Sequence, residues 1–255
     1  MYITKEILNW NIQQNDFTFY NREWNTPYEG WNHAEKIISN HTSKYHRIDV
    51  IATLKRIIDY RVKDLSHKYN LKAINDDFKK KNNYERLAHL NIIRPIMLKK
   101  LLEVRNNVEH KHEQPPSLNI CKELVEFVWY FLKSTDIFCH TVIDSYSLDE
   151  DPNHDSKYGL LVTPKIKKNW EIELRGWLTE SQYSNSKKDG FLKIQIIDKE
   201  TYEEFKIRQK NNLSSFIDDY HKNRADSDLY IREAIVEDKE VKNALIEKYF
   251  TANST

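Results

Sequence analysis

Glycine is scarce in the 255-residue chain, with four residues at positions 30, 159, 176 and 190. At those spacings neither a P-loop nor a GxGxxG turn can be written, which excludes the nucleotide chemistry that rests on such phosphate cradles. Cysteine is as rare. Cys121 and Cys139 lie 18 residues apart within one helical pattern, too far to bridge inside it, and no CxxC pair exists. Both are expected to be buried, reduced thiols. No apolar run approaches the roughly 18 residues that a membrane-crossing helix requires. The start Met1 to Glu6 has no basic stretch followed by an apolar one, so the cytoplasm is the expected location. A charge excess of one sign is also missing: 40 Lys and Arg stand against 39 Asp and Glu, a net charge of +1, which excludes a global polyelectrolyte attraction to nucleic acid or to an acidic membrane.

Charge is abundant all the same, at 31% of residues with a mean hydropathy of −0.78, and it is unevenly placed. From Lys79 to His112, nine Lys and Arg face three Glu, a local +6, whereas from Asp198 to Glu240 eight face twelve, a local −4. The basic stretch is a statement about one surface, either a solvated helical face or a face for an anionic partner.

Length suggests two modules. Residues 1–29 are aromatic and Asn-rich without a sustained period and are read as a lead segment. Over 30–146 the apolar positions follow helical spacing: Ile51, Leu54, Ile58, Val62, Leu65 and Tyr69, then Leu87, Leu90, Ile93, Met97, Leu101, Val104 and Val108. Pro95 should kink the second helix or begin its second half, and Ser117 should cap a strongly apolar helix running from Leu118 to about Val142. The acidic, breaker-rich stretch 147–157 is the expected linker. Beyond it, period-two alternation in Tyr158 to Val162, Trp170 to Leu178 and Phe191 to Ile197 predicts strands, and 201–250 reads as largely helical, with Tyr202 to Ile207 open as a third strand. The expected fold is mainly α: a helical bundle followed by a small α+β module over 158–255.

One constellation points to chemistry. Leu101-Leu-Glu-Val-Arg105-Asn106-Asn107-Val108-Glu109-His110 ends a long helix ahead of a proline-containing loop and a further apolar helix. This arrangement of Arg, adjacent polar residue and later His resembles the HEPN superfamily of helical-bundle proteins, over residues 30–145. The resemblance implies a metal-independent endoribonuclease that dimerises along the motif-bearing helices, with toxin–antitoxin or antiphage roles and an antitoxin or defence-system partner. It also leaves a non-catalytic RNA- or partner-binding protein as the alternative. Read from the residues alone, Arg105 offers a guanidinium fork to phosphate, His110 an acid or base near neutrality, and Asn106, at i, i+4, an amide to orient the imidazole. Arg105 and His110 lie about 140° apart around an ideal helix, so a shared phosphate requires fraying or two chains. The bland reading is a surface ion pair of Arg105 with Glu109. Lys99, Lys100, Lys111 and His112 are the candidate RNA contacts. No metal or other cofactor is expected. Trp170 and Trp177 are read as core residues in preference to base-stacking platforms.

Overall fold

The computed structural model describes residues 1–19, 25–40, 43–110, 114–150, 158–211, 221–222 and 224–252. Two units emerge from the contacts, one formed by residues 19–142 and the other by residues 1–18 together with 143–253.

The helical unit holds α1 (Asn25–Ser39), α2 (Lys44–Lys68), α3 (Asp76–Lys80), α4 (Asn83–His89), α5 (Pro95–His110) and α6 (Leu118–His140). On α2, Val50, Ile51, Leu54, Ile57, Ile58, Val62 and Leu65 form one buried stripe, as their spacing predicts. Arg61 sits in the same stripe with no exposed surface. Its guanidinium is engaged by α6 through Nη1, which pairs with Asp136 at 2.9 Å and donates to Thr135 Oγ1 at 3.1 Å, while Nε and Nη2 find no hydrogen-bond partner among the described residues. Asp136 also accepts from Tyr28 Oη at 2.5 Å, which ties α1 into the same junction. Pro95 opens α5, where its missing N–H costs nothing because the first-turn donors of a helix lack partners anyway. Ser117 caps α6, accepting from the Ile120 N–H at 3.3 Å. Cys121 and Cys139 are buried and unbridged, and burial pushes both thiols up to about 11.

Among the described residues the second unit holds an eight-stranded sheet: β1 (Tyr2–Thr4), β2 (Asn11–Phe19), β3 (Thr141–Asp149), β4 (Gly159–Lys165), β5 (Glu171–Leu178), β6 (Tyr183–Ser184), β7 (Phe191–Thr201) and β8 (Leu229–Val236), in the order β2-β3-β4-β5-β8-β7-β1-β6. Every pair whose register is defined is antiparallel. The edges are kept unattractive for further pairing, β6 by being two residues long and β2 by its polar sequence. α8 (Lys239–Ala252) packs on the sheet: Tyr146 Oη donates to the Leu245 carbonyl at 2.7 Å, and Trp170 meets Tyr249 edge to face at 5.4 Å. α7 (Tyr202–Asn211) brings Phe205 against Trp177 and Tyr230.

This architecture corrects the expected fold class. The chain is a mixed α/β protein with a large sheet built from both ends of the sequence, in place of a HEPN-like bundle followed by a small α+β module, and the resemblance to HEPN proteins is not upheld. The physical reason lies in pairings that local periodicity does not carry. Met1 and Ile194 exchange backbone hydrogen bonds across 193 residues, residues 11–19 form a polar edge strand, 141–149 is a strand that runs from the expected end of the last bundle helix into the expected linker, and 229–236 is a strand in a stretch read as largely helical. Tyr202 to Ile207 is helix, and Trp170 and Trp177 are fully buried core residues. Among the described residues no helix is long and apolar enough to cross a membrane.

Candidate functional site

Residues from four adjacent strands, β3, β4, β5 and β8, meet in a cleft of about 340 Å³. Alternation along the strands puts Ser147 and Asp149 of β3 beside Gly159 and Leu161 of β4, because residues two apart share a sheet face. The floor depends on two glycines. A Cβ on Gly176, whose φ is +151°, would stand 2.0 Å from the Gly159 carbonyl oxygen, and one on Gly159 would stand 2.4 Å from Asp149 Oδ1. Glycine at both positions therefore lets β4 and β5 close up and lets the Asp149 carboxylate fold over β4.

Next to Gly176 the ladder between β5 and β8 is irregular. Leu174 faces Ala234 and Gly176 faces Ile231, so the single residue Arg175 stands opposite two residues of β8. Such a bulge increases local twist and re-aims the side chain beside it. Arg175 is held by one bond, Nε–H to Tyr230 Oη at 2.7 Å. Its terminal NH₂ groups have no hydrogen-bond or ion-pair partner among the described residues. Tyr230 Oη, acting there as acceptor, retains its own proton to donate. The cleft thus has an exposed guanidinium oriented through Nε with a phenol beside it, and a carboxylate, steadied by the Ser147 hydroxyl at 3.1 Å, elsewhere in its lining.

Trp177 is the hub behind the cleft. It meets Tyr202 and Phe205 edge to face, each at 5.7 Å, and lies tilted on Tyr230 at 4.8 Å. Its indole N–H donates to His221 Nδ1 at 2.9 Å, and the His221 ring stacks on Phe205 at 4.9 Å. Because an indole nitrogen only donates, the imidazole carries its proton on Nε2. The Arg224 guanidinium lies over Trp177 at 4.6 Å and over Tyr158 at 5.1 Å. Asp228, buried, anchors this segment by accepting from Tyr158 Oη at 2.6 Å and from the Ala225 N–H at 2.9 Å. Burial, with that bond to Asp228, pushes the Tyr158 phenol up to about 12.

Ser147, His221 and Asp149 line one cleft, yet they are not wired as a nucleophile relay. A relay needs the imidazole between serine and carboxylate. Here the serine hydroxyl donates directly to Asp149, and His221 Nδ1 is occupied by Trp177.

The residues singled out in the sequence lie on α5 of the other unit. Arg105 is half-buried and donates to the Oδ1 of its neighbour Asn106 at 3.1 Å. Lys99 and Lys100 are exposed on α5, Lys100 at 3.8 Å from Glu123. The His110 side chain, with Lys111 and His112, lies outside the described residues. Among the described residues no three His, Cys, Asp or Glu side chains gather as a metal site. The HEPN-type endoribonuclease, its non-catalytic HEPN-like alternative and the associated stress, toxin–antitoxin and antiphage roles fall with the fold on which they rested. Sequence reasoning missed the cleft, whose residues are scattered from 147 to 230; the one local signal was that two of the four glycines fall on neighbouring strands. In comparisons with protein-family models, curated proteins and solved structures, nothing matches this chain.

Proposed function

We propose that this is a cytoplasmic ligand-binding protein whose sheet unit takes a compact organic anion, a carboxylate or phosphate ester that also carries hydroxyl or amino donors. The observation that carries the reading is Arg175, set at a bulge, locked through Nε by Tyr230, and left with its terminal N–H groups unengaged among the described residues. A guanidinium fork so fixed matches the two oxygens of a carboxylate or phosphate at little further entropic cost. The Asp149 carboxylate, which accepts from Ser147, lies in the same lining and matches a ligand that carries donors as well as its anionic group. The volume falls in the range of small-molecule sites, at its lower end. Binding is favoured over catalysis because the serine, histidine and carboxylate of the cleft are engaged in an order that moves no proton from the serine to the imidazole.

The experiment is a thermal-shift screen with hydroxycarboxylates, amino acids and sugar phosphates, run in parallel on wild type and Arg175→Gln. A subset of these anions should raise the Tm of wild type, because a ligand that binds only the folded state stabilises it. The same subset should leave Arg175→Gln unmoved. Equal shifts in both proteins, or none in wild type, would refute the reading.

A further inference from the structure

A second cavity, of about 620 Å³, lies in the helical unit between α4 and α5. Its walls are Tyr84 and Ala88 from α4, Ile93 from the connection, and Pro95, Leu98 and Leu102 from α5. The shape follows from the sequence: Pro95 starts a new helix after α4 has ended at His89, so the two helices diverge instead of continuing as one. The Tyr84 ring is fixed because its hydroxyl donates to Asp59 on α2.

The rim is charged with one sign in excess. Lys81 and Lys99 line it, with the exposed Lys80 and Arg94 close by in sequence. Lys80, Arg94 and Lys99 have no carboxylate within ion-pair distance among the described residues, and Lys81 rests on the Phe78 ring at 5.2 Å. The one carboxylate in the lining, Glu85, is turned into its own helix cap, accepting from the Asn82 N–H at 2.8 Å. An aliphatic trough bordered by uncompensated cations complements a ligand that is apolar on one side and acidic on the other.

We infer that the α4–α5 groove docks an acidic amphipathic helix of a partner protein. Apolar side chains at i, i+3, i+4 and i+7 of such a helix would enter between Ala88, Ile93 and Leu98, while its carboxylates reach Lys81 and Lys99. Charge complementarity selects this occupant over a neutral apolar segment and favours its encounter rate. RNA fits the groove less well: single strands use aromatic faces for stacking, whereas these walls are largely aliphatic, and their two rings are engaged elsewhere, Tyr84 bonded to Asp59 and His89 edge to face with Phe78 at 5.2 Å. This inference concerns a different unit from the ligand cleft and stands or falls independently of it.

The test is fluorescence anisotropy of a labelled, designed helical peptide with leucines at i, i+3, i+4 and i+7 and glutamates on the opposite face, titrated with the full chain. Saturable binding is expected, weakened at least tenfold by Lys81→Glu combined with Lys99→Glu, by Ala88→Glu alone, and by scrambling the peptide so that its leucines no longer share a face. Lys99 is exposed and Lys81 and Ala88 are half-buried, so circular dichroism should confirm that the variants fold. Absence of saturation, binding that survives the charge reversals and Ala88→Glu, or displacement of the peptide by a single-stranded RNA oligonucleotide or by dodecanoate more readily than by unlabelled peptide would overturn the inference.

Discussion

Replacing Gly176 by alanine tests the backbone geometry on which the cleft is built. At φ +151° an L side chain is strained, at about 1–3 kcal/mol. The new Cβ would also stand 2.0 Å from the Gly159 carbonyl oxygen and 3.0 Å from Leu160 Cα, both backbone atoms that no rotamer change can move aside. Relieving that contact requires β4 and β5 to separate where Leu160 faces Gly176, and forced backbone shifts of this kind cost about 1–3 kcal/mol more. The sum, about 2–6 kcal/mol, corresponds to a Tm lowered by about 5–20 °C for a chain of this size. Gly190 is the control: its φ is +77° but nothing lies within 4 Å of an added Cβ, so Gly190→Ala should cost only the conformational term, about 1–2 kcal/mol. Thermal and urea denaturation of the two variants beside wild type read the difference. If Gly176→Ala unfolded within about 1 °C of Gly190→Ala, the close approach of β4 and β5 would be wrong, and the floor of the cleft with it.

Other perturbations address separate links. Gly159→Ala meets the movable Asp149 carboxylate at 2.4 Å and the fixed Leu148 carbonyl oxygen at 3.1 Å, so it should displace the carboxylate and weaken ligand binding more than it lowers Tm. Arg61→Leu strips Asp136 of its buried partner and should destabilise the helical unit by about 3 kcal/mol, with part of the loss recovered in the Arg61→Leu, Asp136→Asn double variant; urea denaturation of the full cycle measures it. Lys68, whose ammonium burial lowers from 10.5 to about 8, binds its proton more weakly in the folded than in the unfolded chain. Its contribution to stability therefore rises with pH between about 8 and 10.5, and the stability gained by Lys68→Met at pH 7 should shrink by pH 10.

Much of the helical unit is legible in the sequence because its contacts are periodic. The α2 stripe and the starts of α5 and α6 follow from apolar spacing, Pro95 and Ser117. Strands β4, β5 and β7 announce themselves by alternation. The remaining strands are hidden for identifiable reasons. β3 follows α6 directly, and its opening Thr141-Val142-Ile143 is a short apolar run that periodicity cannot separate from helix. β8 interrupts its alternation with the adjacent charges Arg232 and Glu233, the two residues that stand opposite Arg175 at the bulge. β2 has the composition of a loop because it lies at the sheet edge. The cleft inherits this opacity, since Asp149, Arg175 and Tyr230 are brought together only by the strand order, and His221 joins them from outside any strand. Arg61 shows the converse case, a charge placed in an apolar stripe whose partner, Asp136, lies 75 residues away.

The proposed role of Arg175, anchoring an anionic ligand in the cleft, is measured by calorimetric titration of the best anion from the screen into wild type and Arg175→Gln. A hydrogen-bonded charge contact of this kind contributes about 1.5–3 kcal/mol, so the account predicts saturable one-to-one binding to wild type and a Kd about ten- to a hundredfold weaker in the variant. Equal affinity for the two proteins would contradict it.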